Sequence, residues 1–165
     1  MKLQVPFIVF PLFASAQSLG GGTRFSISHS GRGCPVGSMS VSASMSPDRE
    51  IMTLSFDKMQ AFIGPGYDAT SKTQNCGINL TMELPNDSTQ YTLVENTYHG
   101  YERLEKGITA TLLSTLYRSE NATASITTQA SVEGSSVGQV FTRTVVVPES
   151  QYVWSRCGGV RPCGL

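Results

Sequence analysis

Histidine and tryptophan are almost missing from this sequence of 165 residues, with only His29, His99 and Trp154 to represent them. Nucleophilic catalysis needs a base beside a serine or cysteine, so scarce histidine confines that chemistry to two positions. No G-x-S-x-G pattern places a serine on a nucleophile elbow. An excess of either charge is lacking too, with twelve basic residues against twelve acidic ones. Without a basic stripe to neutralise phosphates, no nucleic-acid partner is expected. Beyond residues 1–16 no apolar run is long enough to span a bilayer, and the terminal GGVRPCGL lacks the hydrophobic tail of a lipid-anchor signal. Asp57, Asp68 and Asp87 stand near turns without the D-x-D-x-D spacing of a calcium loop, and no close cysteine pair faces another across the sequence. Neither a metal nor a cofactor is expected.

What is present begins with the N-terminus. MKLQVPFIVFPLFASAQ has Lys2, an apolar run over residues 3–13 and the small-x-small pattern Ala14, Ser15, Ala16. That is the grammar of a secretory signal cut after residue 16, and the run is too short for a transmembrane helix. A buried N-terminal strand is the competing reading. Residues 17–33 are rich in glycine and serine and are expected to be a flexible segment, with a short strand near residues 25–28. Residues 34–165 form the domain.

Within that domain the period is two. Met39, Val41, Ala43 and Met45 alternate with serines, Met52, Leu54 and Phe56 follow, and the parity slips before Met59, Ala61 and Ile63, which predicts a bulge or bend. GPG at residues 64–66 closes that segment. Ile78, Leu80, Met82 and Leu84 point one way from an extended chain and Asn79, Thr81 and Glu83 the other. Alternating runs follow at residues 91–98, 108–117, 122–132 and 140–147. The stretch YERLEKG, residues 101–107, alone has a helical composition, with room for about two turns; a charged loop is its competing reading. Seven or eight short strands with turns between them predict an all-β, antiparallel sandwich or jelly roll in one domain, with at most one short helical segment. There is no internal repeat.

In an exported chain, four cysteines, Cys34, Cys76, Cys157 and Cys163, predict disulfides, with three pairings open. Three N-x-S/T acceptors, at Asn79, Asn86 and Asn121, fall on a polar strand face, in a turn after Pro85 and in a polar connection. Each position could carry a glycan without disturbing a core. Two aromatic clusters are candidate ligand sites. Tyr98, His99, Tyr101 and Glu102 crowd a strand-to-loop corner, where they could orient a ligand by stacking and hydrogen bonds, or pack inward as core. Tyr152 and Trp154 share a face of an extended segment and could form a sugar platform; the reading preferred for Trp154 is burial, as the largest core residue. Glu102 and Glu105 are the nearest approach to a paired-carboxylate site.

These motifs together resemble the family known as domain of unknown function 4360. The resemblance rests on GRGCPVGSMSVSASMSPDREIMTLSFDKMQAFIGPG, on KTQNCGINL with its following LP, on YHGYERLEKG and on VWSRCGG, in that order over residues 31–159. It implies a small exported all-β protein and carries no activity, cofactor or catalytic residue. It also implies that Cys34, Cys76 and Cys157 hold the family's recurrent cysteine positions and that Cys163 is an addition. Members continue past CGG with a further alternating segment, so the resemblance implies a missing final strand here or an uncovered sheet edge.

The expectation for function is a secreted, disulfide-bonded, N-glycosylated module that binds an extracellular glycan or protein. A structural component of the cell surface or wall is the first alternative, and a carbohydrate hydrolase the second.

Overall fold

The computed structural model describes residues 2–14, 24–83, 90–119 and 121–155. Asn86, Cys157 and Cys163 lie outside the described residues. Among the described residues there are eleven strands: β1 (Lys2–Ala14), β2 (Arg24–Ser30), β3 (Val41–Met45), β4 (Ile51–Phe56), β5 (Gln60–Phe62), β6 (Gly77–Glu83), β7 (Tyr91–Leu93), β8 (Glu95–Arg103), β9 (Thr109–Arg118), β10 (Asn121–Glu133) and β11 (Gln139–Val146). The main sheet has seven strands in the order β11-β8-β1-β4-β3, with β5 and β7 pairing the two ends of β1. Two antiparallel pairs, β2 with β6 and β9 with β10, pack over it. The all-β sandwich read from the period of two is the observed architecture.

The alternation explains which face each strand buries. In β4, Met52, Leu54 and Phe56 are buried, and with Cys34 and Val41 they form one core cluster, capped by Phe25, Ile27, Ile78, Leu80 and Met82 of the β2–β6 pair. In the other half Tyr98 and Phe141 of the main sheet meet Leu112, Ala130 and Val132 of the β9–β10 hairpin. A third cluster joins Leu93, Ile126 and Val147. The parity slip after Phe56 is the break between β4 and β5. Gly64 and Gly66 both take positive φ, 126° and 88°, in the GPG turn that glycine permits.

Four expectations are corrected. Residues 101–107 are not helical: residues 101–103 complete β8 and the rest is a turn through Gly107, at φ 89°. Neighbouring strands supply β8 with ladder partners on both sides, Gly100 with Phe141 on one and Thr97 with Val9 on the other, and that pairing outweighs local helix propensity. Within the segment expected to be flexible, β2 extends to seven residues because β6 offers it a partner along its whole length, from Arg24 opposite Glu83 to Ser30 opposite Gly77. Met39, assigned to the inward face, is 96% exposed, while Ser40 is buried. The strand starts only at Val41, so the alternation of the preceding turn carries no facing information. Asn121 begins β10 rather than lying in a connection, and stays exposed.

The segment read as a leader contains strand β1. β1 runs antiparallel to β4 on one side, with Ile8 opposite Leu54, and antiparallel to β8 on the other, with Ile8 opposite Tyr98. Its two ends meet β5, where Lys2 is opposite Phe62, and β7, where Leu12 is opposite Leu93. An apolar leader and a central strand have the same composition, so pattern alone does not separate them.

Candidate functional site

The strand-to-loop corner is split by the two faces of β8. Tyr98 points inward and is 1% exposed, its hydroxyl donating to the Thr128 carbonyl at 2.9 Å and lying 2.8 Å from Thr128 Oγ1. Glu102 also points inward and is fully buried. Its Oε2 accepts the Leu104 N–H at 2.8 Å and its Oε1 accepts the Ser135 hydroxyl at 2.7 Å. Burial alone would raise its pKa, but the Ser135 hydroxyl, the Leu104 amide and the Gln139 side chain outweigh it and hold the carboxyl below its ordinary 4.5. A general acid needs the opposite shift, so Glu102 acts as an anchor that fixes the end of β8 to the β10–β11 connection.

His99 and Tyr101 face outward. His99 Nδ1 lies 2.9 Å from Thr142 Oγ1 in a polar ladder that continues with Thr97 Oγ1 and Thr144 Oγ1, also 2.9 Å apart. Tyr101 reaches a cleft of about 540 Å³ at the β5 end of the sheet, lined by Phe62, Tyr67, Tyr101, Arg103, Glu105 and Ser136 among others. Phe62 and Tyr67 stack with ring centroids 5.0 Å apart and planes inclined by 12°. Tyr67 is 48% exposed and Tyr101 37%. Gly138, at φ 79°, lets the Tyr101 ring lie against the β10–β11 turn, because a Cβ there would run into the tyrosine hydroxyl. Asp68, next to Tyr67, ties the loop down, its Oδ1 accepting the amides of Thr70 at 2.8 Å and Ser71 at 3.0 Å. The Thr70 side chain is the first cause, and these amides the next, of a carboxyl pKa below the usual 3.8.

Tyr152 and Trp154 lie at the other end of the sheet. Ser155 binds β7 there, its amide donating to the Tyr91 carbonyl at 2.8 Å. The expected burial of Trp154 is overturned: it is 41% exposed, edge-on to Tyr152 at 6.0 Å and 86°. Tyr152 takes the inner place instead, beside Leu93, Ile126 and Val147. The Arg118 guanidinium donates to the Trp154 carbonyl. A second cavity of about 360 Å³ is lined by Met59, Ala61, Tyr98, Ile108 and Leu112 among others.

The structure therefore brings together neither Tyr98 with His99 nor the corner with Trp154. Sequence reasoning missed Phe62 and Tyr67; the available signal was an aromatic directly after a GPG turn, which offers a ring to solvent at a fixed place. Cys34 and Cys76 form a disulfide with Cα atoms 5.4 Å apart, joining the chain after β2 to the chain before β6. Asn79 is exposed on β6, and Asn121 is exposed with its Oδ1 accepting the Thr123 hydroxyl at 2.7 Å.

A disulfide-stapled β-sandwich with an aromatic cleft on its outer face is the class these features define. The chain belongs to the family described as Domain of unknown function (DUF4360), which matches residues 25–163. It is 35% identical over 135 residues to a protein of Arthroderma benhamiae described as an uncharacterized secreted protein, an alignment covering 80% of this chain and 52% of the relative. The chain thus spans about half the length of that relative. No solved structure matches it.

Proposed function

We propose that the protein is an exported, N-glycosylated binding module that takes an extracellular glycan in the Phe62–Tyr67–Tyr101 cleft. The observation that carries this reading is the lining of the cleft. The stacked Phe62 and Tyr67 rings and the Tyr101 ring offer apolar surface to the C–H faces of a sugar, and Arg103, Glu105 and Ser136 beside them can exchange hydrogen bonds with its hydroxyls. Export is supported by the leader grammar of residues 1–16, by the Cys34–Cys76 disulfide and by the description of the relative as secreted. Exposure of Asn79 and Asn121 supports glycosylation there. A sequon must be solvent-facing to carry sugar in a folded domain.

The test is a glycan array probed with protein collected from the medium of a eukaryotic secretion host. A defined set of glycans should be retained, and Tyr67→Ala with Tyr101→Ala should weaken that retention at least tenfold while the melting curve stays in place. Retention of no glycan, or undiminished retention by the double variant, refutes the reading.

A further inference from the structure

We infer that the cavity of about 360 Å³ beside β5 and the start of β9 binds a small neutral alcohol with an apolar body, whose hydroxyl donates to Gln74 Oε1. The site is other than the glycan cleft, although Phe62 and Leu104 line both. Its lining is largely apolar, with Met59 and Ala61 in and beside β5, Tyr98 on β8, and Ile108 and Leu112 in and beside β9. The Tyr98 hydroxyl is already bonded to Thr128, so that ring offers the cavity its apolar surface. At roughly 30 Å³ per non-hydrogen atom, as in a liquid, the space suits a body of about a dozen such atoms. Apolar walls with a few fixed polar atoms are the usual make-up of a small-molecule site.

The polar atom that selects the ligand is Gln74 Oε1. Gln74 lines the cavity, and this oxygen is buried with no hydrogen-bond partner among the described residues. Leaving such an oxygen unpaired is costly, and nearly all buried polar groups find a donor or acceptor. The chain around it is held in place. The Phe62 N–H donates to the Ser71 carbonyl at 2.9 Å, the Gly33 N–H donates to the Asn75 carbonyl at 3.0 Å, and Cys76 is bonded to Cys34. A ligand O–H supplies the missing donor while the walls take up the rest of the molecule. A carboxylate does not fit, because it has only acceptors to offer Gln74 and would lose its hydration against apolar walls. Lys72 also lines the cavity but is exposed to solvent, so pairing with its ammonium returns little of that cost. An ether fills the same space and leaves Oε1 unpaired.

The test uses protein collected from the secretion medium with isotope-labelled alanine, isoleucine and leucine methyl groups. The probes are 1-nonanol, 1-methoxyoctane and octanoate, which match in their number of non-hydrogen atoms. 1-Nonanol should shift the methyl signals of Ala61, Ala110, Ile108 and Leu112 saturably. 1-Methoxyoctane should bind about three- to tenfold more weakly, the loss of one hydrogen bond, and octanoate at least tenfold more weakly. Gln74→Leu should bring 1-nonanol and 1-methoxyoctane within twofold of each other without lowering Tm, because it removes an unpaired buried polar group. Ala110→Leu should weaken 1-nonanol at least tenfold by filling the cavity. Tyr67→Ala with Tyr101→Ala should bind 1-nonanol within twofold of the wild type, so this site and the glycan reading fail separately. The proposal is overturned by no saturable shift with 1-nonanol, by equal binding of alcohol and ether to the wild type, or by tighter binding of octanoate. It is also overturned by an alcohol preference that survives Gln74→Leu, by undiminished binding to Ala110→Leu, or by loss of 1-nonanol binding with the two tyrosines.

Discussion

Removing the Cys34–Cys76 bridge, by Cys34→Ala with Cys76→Ala, tests the core of the architecture. The bridge closes a loop of 42 residues holding β3, β4 and β5. In the chain-entropy account such a loop contributes about 4 kcal/mol by restricting the unfolded chain. Cys34 is also fully buried against Val41, Met52, Leu54 and Phe56, so its loss removes an apolar contact worth roughly 1 kcal/mol. A total near 5 kcal/mol, at about 2–4 °C per kcal/mol for a domain of this size, lowers Tm by roughly 10–20 °C. The assay is thermal and urea denaturation of both proteins with and without reductant. Reductant should bring the wild type towards the variant and leave the variant almost unmoved. A double variant melting within about 3 °C of the wild type, or one still strongly sensitive to reductant, refutes the assignment of this bridge as the main covalent restraint.

Glu102→Gln should lower stability near neutral pH by about 1–3 kcal/mol, since an amide meets donors placed for a carboxylate. Because the folded Glu102 has the lower pKa, its contribution is present above the ordinary 4.5 and is lost as pH falls through the folded value; acid titration of stability should be shallower in the variant, and parallel curves would contradict this. Tyr98→Phe should cost about 1–3 kcal/mol in urea denaturation by leaving Thr128 without the tyrosine hydroxyl. Gly138→Ala should displace the Tyr101 ring and lower glycan retention more than it lowers Tm. Asn79→Gln should reduce the apparent mass of the secreted product on a gel, and unchanged mobility with enzymatic deglycosylation also silent would remove that site.

Much of the fold was legible because a period of two has a single physical meaning when one face is dry. Met52, Leu54 and Phe56, and likewise Ile78, Leu80 and Met82, are turned inward as their spacing requires. Tyr98 belongs to the core, as its competing reading held. What pattern could not supply was partnership. Residues 101–103 are strand because β11 lies beside them, a long-range fact absent from YERLEKG itself. Trp154 follows the last described strand and meets Tyr152 edge-on, so its size did not decide its burial. The pairing of Cys34 with Cys76 follows from β2 meeting β6, which no count of cysteines reveals. The cleft drew Phe62 and Tyr67 from one side and Tyr101 and Arg103 from the other, a convergence written in topology alone.

The covalent loop has a further consequence for survival among proteases. Residues 65–70 form an exposed run inside the span from Cys34 to Cys76. A cut there severs the polypeptide without releasing either piece, since the bridge still ties both new ends to one body and β3 to β5 stay in their sheet. A nicked molecule would migrate as one species until its thiols were reduced.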